Sequence, residues 1–470
     1  MNWAAATAWC LPSPETKRAA WLPRRPALQN RDRWERASAV YLRGRFAPTA
    51  GIRMTADVST SAQFPAARTA DLSRRRLAIG FLNWAHALDH FVMLIFPTVV
   101  IELEVVYGRS YSDLIALGTP SFVAFGLFSL PAGWLADRWS RRDMMVAFYV
   151  GCGLSLVAAA FAPSLVALAL ALFALGVFAA IYHPVGTAMI IEKATVRGRT
   201  LAFNGVCGNL GVALAAGTTA VLTAVLSWRG AFFVPGLVCV ATGAAYFWLV
   251  PDERRHDAVR SATADVALSP MAAAAIVALF AVIAVSAGLV FNTLSVALPK
   301  IVDERVEGNI SLTAVGGLTT AIFMCGAIAQ ITVGRLVERF PLHLLFAAAA
   351  ILQFLGVVWA ANASGVALLS ALAFTFAAIY GQITLNDLVI ARYTADAWRG
   401  RVYAVRYFLT FMVSGAAVSL IAFLYGRGGF GLVLGATAMM ALGFLVAVIL
   451  VAIIANGVEK ARVPQPAPAE

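Results

Sequence analysis

The stretch "GWLADRWSRR" (Gly133–Arg142) is a short arginine-rich break between two long apolar runs. A degenerate copy, "GRLVERF" (Gly334–Phe340), breaks a second pair of apolar runs 201 residues later. Two further matches hold nearly the same register. "AAIY" at Ala179–Tyr182 returns at Ala377–Tyr380, an offset of 198, and "RGR" at Arg197–Arg199 returns at Arg399–Arg401, an offset of 202. Three matches in one order imply that the two halves of the chain are parallel repeats of one unit.

Working outward, the composition says what that unit is made of. The 470 residues are 61% hydrophobic and only 13% charged, against about 25% charged in a soluble domain. The apolar blocks run to about 20 residues, enough to cross the ~30 Å bilayer core as helices and too long for the ~10-residue alternating segments of a barrel. Apolar runs and breaks predict twelve spans, at about 77–103, 112–135, 144–162, 164–190, 200–226, 230–250, 271–298, 312–335, 342–361, 364–391, 402–426 and 430–455. The longest charged interruption, "PDERRHDAVRSATADVALSP" (Pro251–Pro270), divides them six and six. The expected organisation is a basic N-terminal extension (1–76), a six-helix bundle (77–250), a linker (251–270), a second bundle (271–455) and a short tail (456–470).

The net charge of +12 suits nucleic acid at first sight, but the positions of the charges argue against that partner. Ten of the 36 Lys and Arg precede Met54, and most of the rest sit in short loops. Loops on one side carry nineteen of them, from Arg74 to Arg462, and the other side only Arg109, Arg229, Lys300, Arg305 and Arg427. The positive-inside rule then predicts a multi-pass protein of the plasma (inner) membrane with both termini and the central loop cytoplasmic. Residues 1–53, rich in Arg, Pro, Ala and Trp, read as a disordered tail, as a lipid-touching basic extension, or as a stretch upstream of an ordinary leader that begins at Met54. Four of the five cysteines fall inside spans, where they read as small packing residues, and no metal-type cysteine spacing occurs.

With the repeat, the spans and the Asp-Arg loop together, the chain resembles the major facilitator superfamily from about Leu77 to Ile454. The resemblance implies two six-helix bundles that rock around a midplane site. It also implies that Gly133, Asp137, Arg138, Arg141 and Arg142 form a cytoplasmic gate motif, which in that family latches the two bundles in the outward-open state. "YHPVGTAM" and "GNLG" (Gly208–Gly211) resemble the fosmidomycin-resistance-type exporters, a weaker match. The arginine that many proton-coupled drug antiporters carry in the fourth helix has no counterpart between Pro163 and Ile190, and the fifth helix lacks their glycine-proline signature.

Polar groups at bilayer depth are costly and are therefore functional candidates. In "NWAHALDHFVMLIFP" (Asn83–Pro97), Asn83, His86, Asp89 and His90 share an arc of roughly 120° on one helical face. Histidine titrates near neutral pH, so this stripe can contact substrate or carry a proton, with Asp89 stabilising the cation. A buried structural role is the alternative reading. His183, ahead of Pro184, joins the candidates, and Asn292 and Gln382 are the substrate candidates of the second half. Asp387 and Arg406 are spaced to pair, as a structural or gating element, while Asn204 and Asn209 read as interhelical hydrogen-bond formers.

The expectation is a secondary active transporter that moves a small organic solute, a drug or metabolite, by efflux or exchange, with protons as coupling ion and a monomer as the working unit. No cofactor is expected. His86 and His90 at i, i+4 also suit a metal pair, so a transition-metal or metal-chelate transporter is the alternative, although no resident metal is assigned. "HALDH" lacks the Glu of a zinc protease, and no nucleotide-binding glycine loop or nucleophile motif points to an enzyme. A non-transporting sensor or assembly protein on the same fold is the third reading.

Overall fold

The computed structural model describes residues 60–252, 270–393 and 396–460. The expectations for residues 1–53, for most of the central linker with Arg254, Arg255 and Arg260, and for the end of the tail with Arg462 lie outside the described residues. The body discussed below belongs to the unit Pro65–Glu470.

Among the described residues, ten continuous helical segments are long and apolar enough to cross a membrane. Eight are single spans: α1 (Leu72–Tyr107), α2 (Tyr111–Ala136), α3 (Arg141–Ala160), α4 (Leu165–Lys193), α7 (Ala278–Arg305), α8 (Leu312–Leu336), α9 (Leu342–Ala361) and α10 (Gly365–Ile390). The other two, Gly198–Leu249 and Phe408–Ile454, have 52 and 47 residues. At 1.5 Å per residue each is roughly twice a bilayer core, so neither is one crossing. Each bends back near its middle. Ser227 takes φ 69° in the first, and Gly428 and Gly429 leave helical geometry in the second. These breaks separate α5 (198–226) from α6 (228–249) and α11 (408–427) from α12 (430–454), an arrangement consistent with the twelve expected spans.

Local chemistry explains the ends. Ser110, Ser140, Ser164 and Ser311 accept hydrogen bonds from backbone N–H groups three residues on, at 3.1–3.3 Å, and so cap α2, α3, α4 and α8. Gly108, at φ 59°, closes the C-terminus of α1. Inside α1 the helix is interrupted at Leu94, three residues before Pro97. Proline has no N–H to offer the preceding turn and its ring crowds the carbonyl four residues back, which accounts for the break. In α4, Tyr182–Gly186 widens into a π-turn around Pro184.

Large apolar side chains such as Leu130, Leu154, Leu170, Val225, Leu355 and Val366 remain exposed on the outer surface of the body. Such a surface is untenable in water and natural in lipid. Tight glycine contacts hold the helices together. A Cβ on Gly211 of α5 would lie 2.0 Å from the Ala87 carbonyl oxygen of α1, and one on Gly176 of α4 would lie 2.0 Å from that of Ser121 in α2.

Among the described residues, α2–α11, α5–α8 and α1–α7 are three of the helix pairs that join the halves. On α2 and α11, Ser414 Oγ donates to the Phe122 carbonyl at 3.2 Å, and Gly126 and Gly415 allow backbone-close approach. Between α5 and α8, Asn209 donates to Gln330 and the Gly217 N–H donates to Thr320 Oγ1 at 3.2 Å. Between α1 and α7, Lys300 Nζ lies 2.5 Å from Glu104, and it also reaches Asp303 at 2.9 Å and Glu304 at 3.5 Å on its own helix. That last junction sits at the arginine-poor end of the molecule.

Candidate functional site

The polar stripe of α1 faces α4 and α5 inside the first half. His86 Nδ1 lies 2.8 Å from the Asn204 carbonyl oxygen of α5. A carbonyl only accepts, so Nδ1 carries the proton, and in neutral His86 the lone pair sits on Nε2. That Nε2 lies 3.2 Å from His90 Nε2. Gly208 makes room for the ring, since a Cβ there would approach His86 Nε2 to 2.6 Å. On the other side His86 stacks on Tyr182, with centroids 4.8 Å apart and planes 25° from parallel.

His183 is carried into the same space by the π-turn. Its Nε2 lies 3.3 Å from Asp89 Oδ2. The separation is that of an ion pair, yet the angles leave both Asp89 oxygens and His183 Nε2 without a hydrogen bond. Asp89 is completely buried. A carboxylate so placed costs several kcal/mol unless a proton or cation accompanies it. The ligand nitrogens of His86, His90 and His183 all lie within 4.8 Å of one another. Four ionisable side chains from two helices thus converge in one buried cluster.

Asn204 ties the surroundings together. Its amide donates to Asn83 Oδ1 at 3.0 Å and to the Leu82 carbonyl at 3.4 Å, and its Oδ1 accepts from the Tyr182 hydroxyl at 3.1 Å. Asn83 therefore belongs to the wall of the site and its orienting network. The roof comes from the other half: Phe411 of α11 packs on His183 with centroids 4.7 Å apart, and Phe125 of α2 meets both rings. The cluster thus lies under the seam where α2 and α11 meet, with an aromatic side chain of the second half on top of it.

The second-half candidates are placed elsewhere. Asn292 donates back to the Gly288 carbonyl of its own helix at 2.8 Å. Gln382 and Asn386, i and i+4 on α10, are buried with Oε1 and Oδ1 lacking a hydrogen bond. Neither Asn292 nor Gln382 makes a hydrogen bond or ring contact with the histidine cluster among the described residues. Asp387 of α10 and Arg406, just ahead of α11, are joined as an ion pair.

At the arginine-rich end, Arg141 bridges Asp137 at 3.1 Å and Glu192 of α4 at 3.1 Å. Arg142 pairs with Asp143 at 2.6 Å and donates to the Val250 carbonyl at 3.1 Å, and Arg138 lies over the Trp134 ring. Every hydrogen bond and ion pair of this loop stays in the first half among the described residues. Gly133 lets α2 approach the π-turn, since a Cβ there would meet Pro184 at 3.3 Å. The loop is therefore one residue removed from His183 through Pro184.

The fold can now be set beside known proteins. The Major Facilitator Superfamily model matches residues 79–308, a range that runs from α1 through the Gly133–Arg142 loop into the second half. Over that range the chain is similar to the major facilitator superfamily. Solved structures with the superfamily fold superpose over most of its length. A bacterial homologue of the human lysosomal transporter Spinster, inward-facing and occupied, aligns with a TM-score of 0.64 at 13% identity, covering 84% of this chain and 99% of that one. A D-xylose–proton symporter aligns with a TM-score of 0.63 at 14% identity, covering 79% of this chain and 96% of that one. No curated protein matches the sequence. The family match and the apolar helices support a multi-pass membrane protein with the fold of secondary transporters of small solutes.

Tyr182 and Phe411 border the cluster and are not among the residues singled out from the sequence, whereas Asn204 forms the interhelical hydrogen bonds expected of it. Tyr182 was signalled indirectly, as the last residue of the repeated "AAIY". Its counterpart Tyr380 is likewise fully buried, but Gly381 stands where the first half has His183, so the cluster has no twin in the second half.

Proposed function

We propose that this protein is a proton-coupled secondary transporter of a small solute, with Asp89, His86, His90 and His183 as the coupling and binding centre. The observation that carries the reading is the burial of the Asp89 carboxylate against His183 beneath Phe411, an aromatic lid that belongs to the opposite half. Rocking of the halves moves that lid, so access to the cluster and bundle orientation change together. A carboxylate without hydrogen bonds is stabilised by a proton when shut in and releases it when wet. Asn83 and Asn204 hold the rings in register.

The positive-inside rule assigns the arginine-rich end to the cytoplasm of a plasma (inner) membrane protein. Lys300 and Glu104 tie the opposite end, whereas among the described residues the Gly133–Arg142 loop makes no ion pair across the seam. This combination supports an inward-facing state, with the loop serving as a gate that latches when the bundles rock the other way. Asn292 and Gln382 are proposed as solute contacts from the second half, and Asp387–Arg406 as a structural strut beside the gate. Efflux or exchange of an organic solute is the direction favoured by the resemblance of "YHPVGTAM" to exporters.

The test is solute-driven proton flux in proteoliposomes, comparing wild type with Asp89→Asn after a thermal-shift screen has identified ligands. Solute transport that remains tied to a pH gradient in Asp89→Asn would remove Asp89 from the coupling role.

A further inference from the structure

We infer that the cluster of His86, His90, His183 and Asp89 is a binding site for a divalent transition-metal cation of the zinc class. This rests on the reading of the cluster as the transport centre and names the kind of solute it takes. Three observations carry it.

The first is the donor set. Three imidazole nitrogens converge within 4.8 Å of one another, and beside them the Asp89 carboxylate lies 3.3 Å from His183 Nε2. Two nitrogens bound to one tetrahedral zinc at ~2.0–2.1 Å stand about 3.3 Å apart. The 3.2 Å between His86 Nε2 and His90 Nε2 already has that spacing. Imidazoles with a single carboxylate suit zinc, cobalt or nickel, whereas magnesium and calcium require oxygen-rich shells.

The second is the orientation of His86. Its Nδ1–H is committed to the Asn204 carbonyl at 2.8 Å, which aims the Nε2 lone pair into the cluster. Metal-ligating histidines are held in this way, by a backbone carbonyl on the far nitrogen that sets both tautomer and ring angle. The same Asn204 anchors Tyr182, whose ring stacks on His86 and restrains its rotation.

The third is the unmet need for positive charge. Both Asp89 oxygens and His183 Nε2 are buried and lack hydrogen-bond partners. A structural role predicts satisfied groups here. A cation between them satisfies all three atoms at once, and because metal and protons compete for the same atoms, binding of the one releases the other.

The experiment uses the untagged full-length protein, purified metal-free in detergent and titrated with Co2+, whose visible absorption reports tetrahedral coordination. The expected result is saturable uptake of one Co2+ per chain, displaced by Zn2+ and not by Mg2+. Affinity should fall by more than about 100-fold in His183→Gln and in Asp89→Asn, beyond the 10–100-fold typical of outer-shell changes, and persist in the control His343→Gln. X-ray absorption of the wild-type zinc form should show imidazole and oxygen scatterers. That measurement needs no variant, so a misfolded substitution leaves the inference testable. Absence of saturable uptake, uptake unchanged in a folded His183→Gln, or a sulfur shell around the zinc overturns the site. The flux assay on the same preparation separates the two readings. Proton flux driven by an organic solute without Co2+ uptake overturns the metal and keeps the transport centre. Co2+ uptake without transport of any solute keeps the metal site and removes the transporter reading.

Discussion

Asp89 Oδ2 and His183 Nε2 face one another 3.3 Å apart across α1 and α4, with the carboxylate completely buried and unbonded. A buried carboxylate without donors works against stability, whereas an amide of the same shape carries no charge to desolvate. Asp89→Asn should therefore raise the apparent Tm of the ligand-free protein in detergent while abolishing coupled transport. A lower Tm would mean that the carboxylate is a structural strut.

Asn204 supports the site through contacts with Leu82, Asn83 and Tyr182, whereas Tyr182 contributes one hydroxyl and a stacked ring. Tyr182→Phe keeps the stack and loses a hydrogen bond worth about 1 kcal/mol. Asn204→Leu strands several buried groups, each at about 1–3 kcal/mol. Chemical denaturation should rank Asn204→Leu well below Tyr182→Phe. Equal losses would show that the network is not shared through Asn204.

The packing of α5 on α1 offers an internal control. A Cβ at Gly211 would meet the Ala87 carbonyl at 2.0 Å, whereas one at Gly205 meets nothing within 4 Å. Gly211→Ala should force the helices apart and lower stability by about 1–3 kcal/mol. Gly205→Ala should be neutral or stabilising by up to about 1 kcal/mol, since alanine favours helix over glycine. Thermal melts of the two variants, side by side, decide this.

Lys300 holds Glu104 of the first half and is nearly buried, while its acidic partners are partly exposed. The link should therefore be worth between the ~1 kcal/mol of an exposed pair and the ~3–5 kcal/mol of a buried one. Lys300→Met leaves three carboxylates facing each other at the arginine-poor end. Spin labels at positions 109 and 427 of an otherwise cysteine-free chain should show a wider distance population in that variant, by about tenfold per 1.4 kcal/mol lost. An unchanged distance distribution would show that the junction does not set the bundle orientation.

Much of this was legible before any coordinates. Apolar runs report how much chain a bilayer can hold, and so the described helices are consistent with the twelve expected spans, down to the turns at Ser227 and Gly428–Gly429. The face shared by Asn83, His86, Asp89 and His90 follows from helical period alone. The same period could not say what that face meets. His183 enters the cluster because Pro184 forces a π-turn, and a local widening of the helix leaves no periodic trace. Asn292 donates to the Gly288 carbonyl of its own helix, a bond that its depth in the span does not foretell.

Composition and periods within one segment were enough to read the all-helical membrane class and the stripe of α1, and the described helices are consistent with the twelve spans so counted. Only the tertiary structure decided that the stripe becomes a four-residue centre capped by Phe411. That outcome depends on glycine-sized approaches between distant segments, Gly208 and Gly211 against α1 and Gly126 against α11. Contacts of this kind are set by surfaces fitting across the bundle, and nothing in the order of residues along one helix records them.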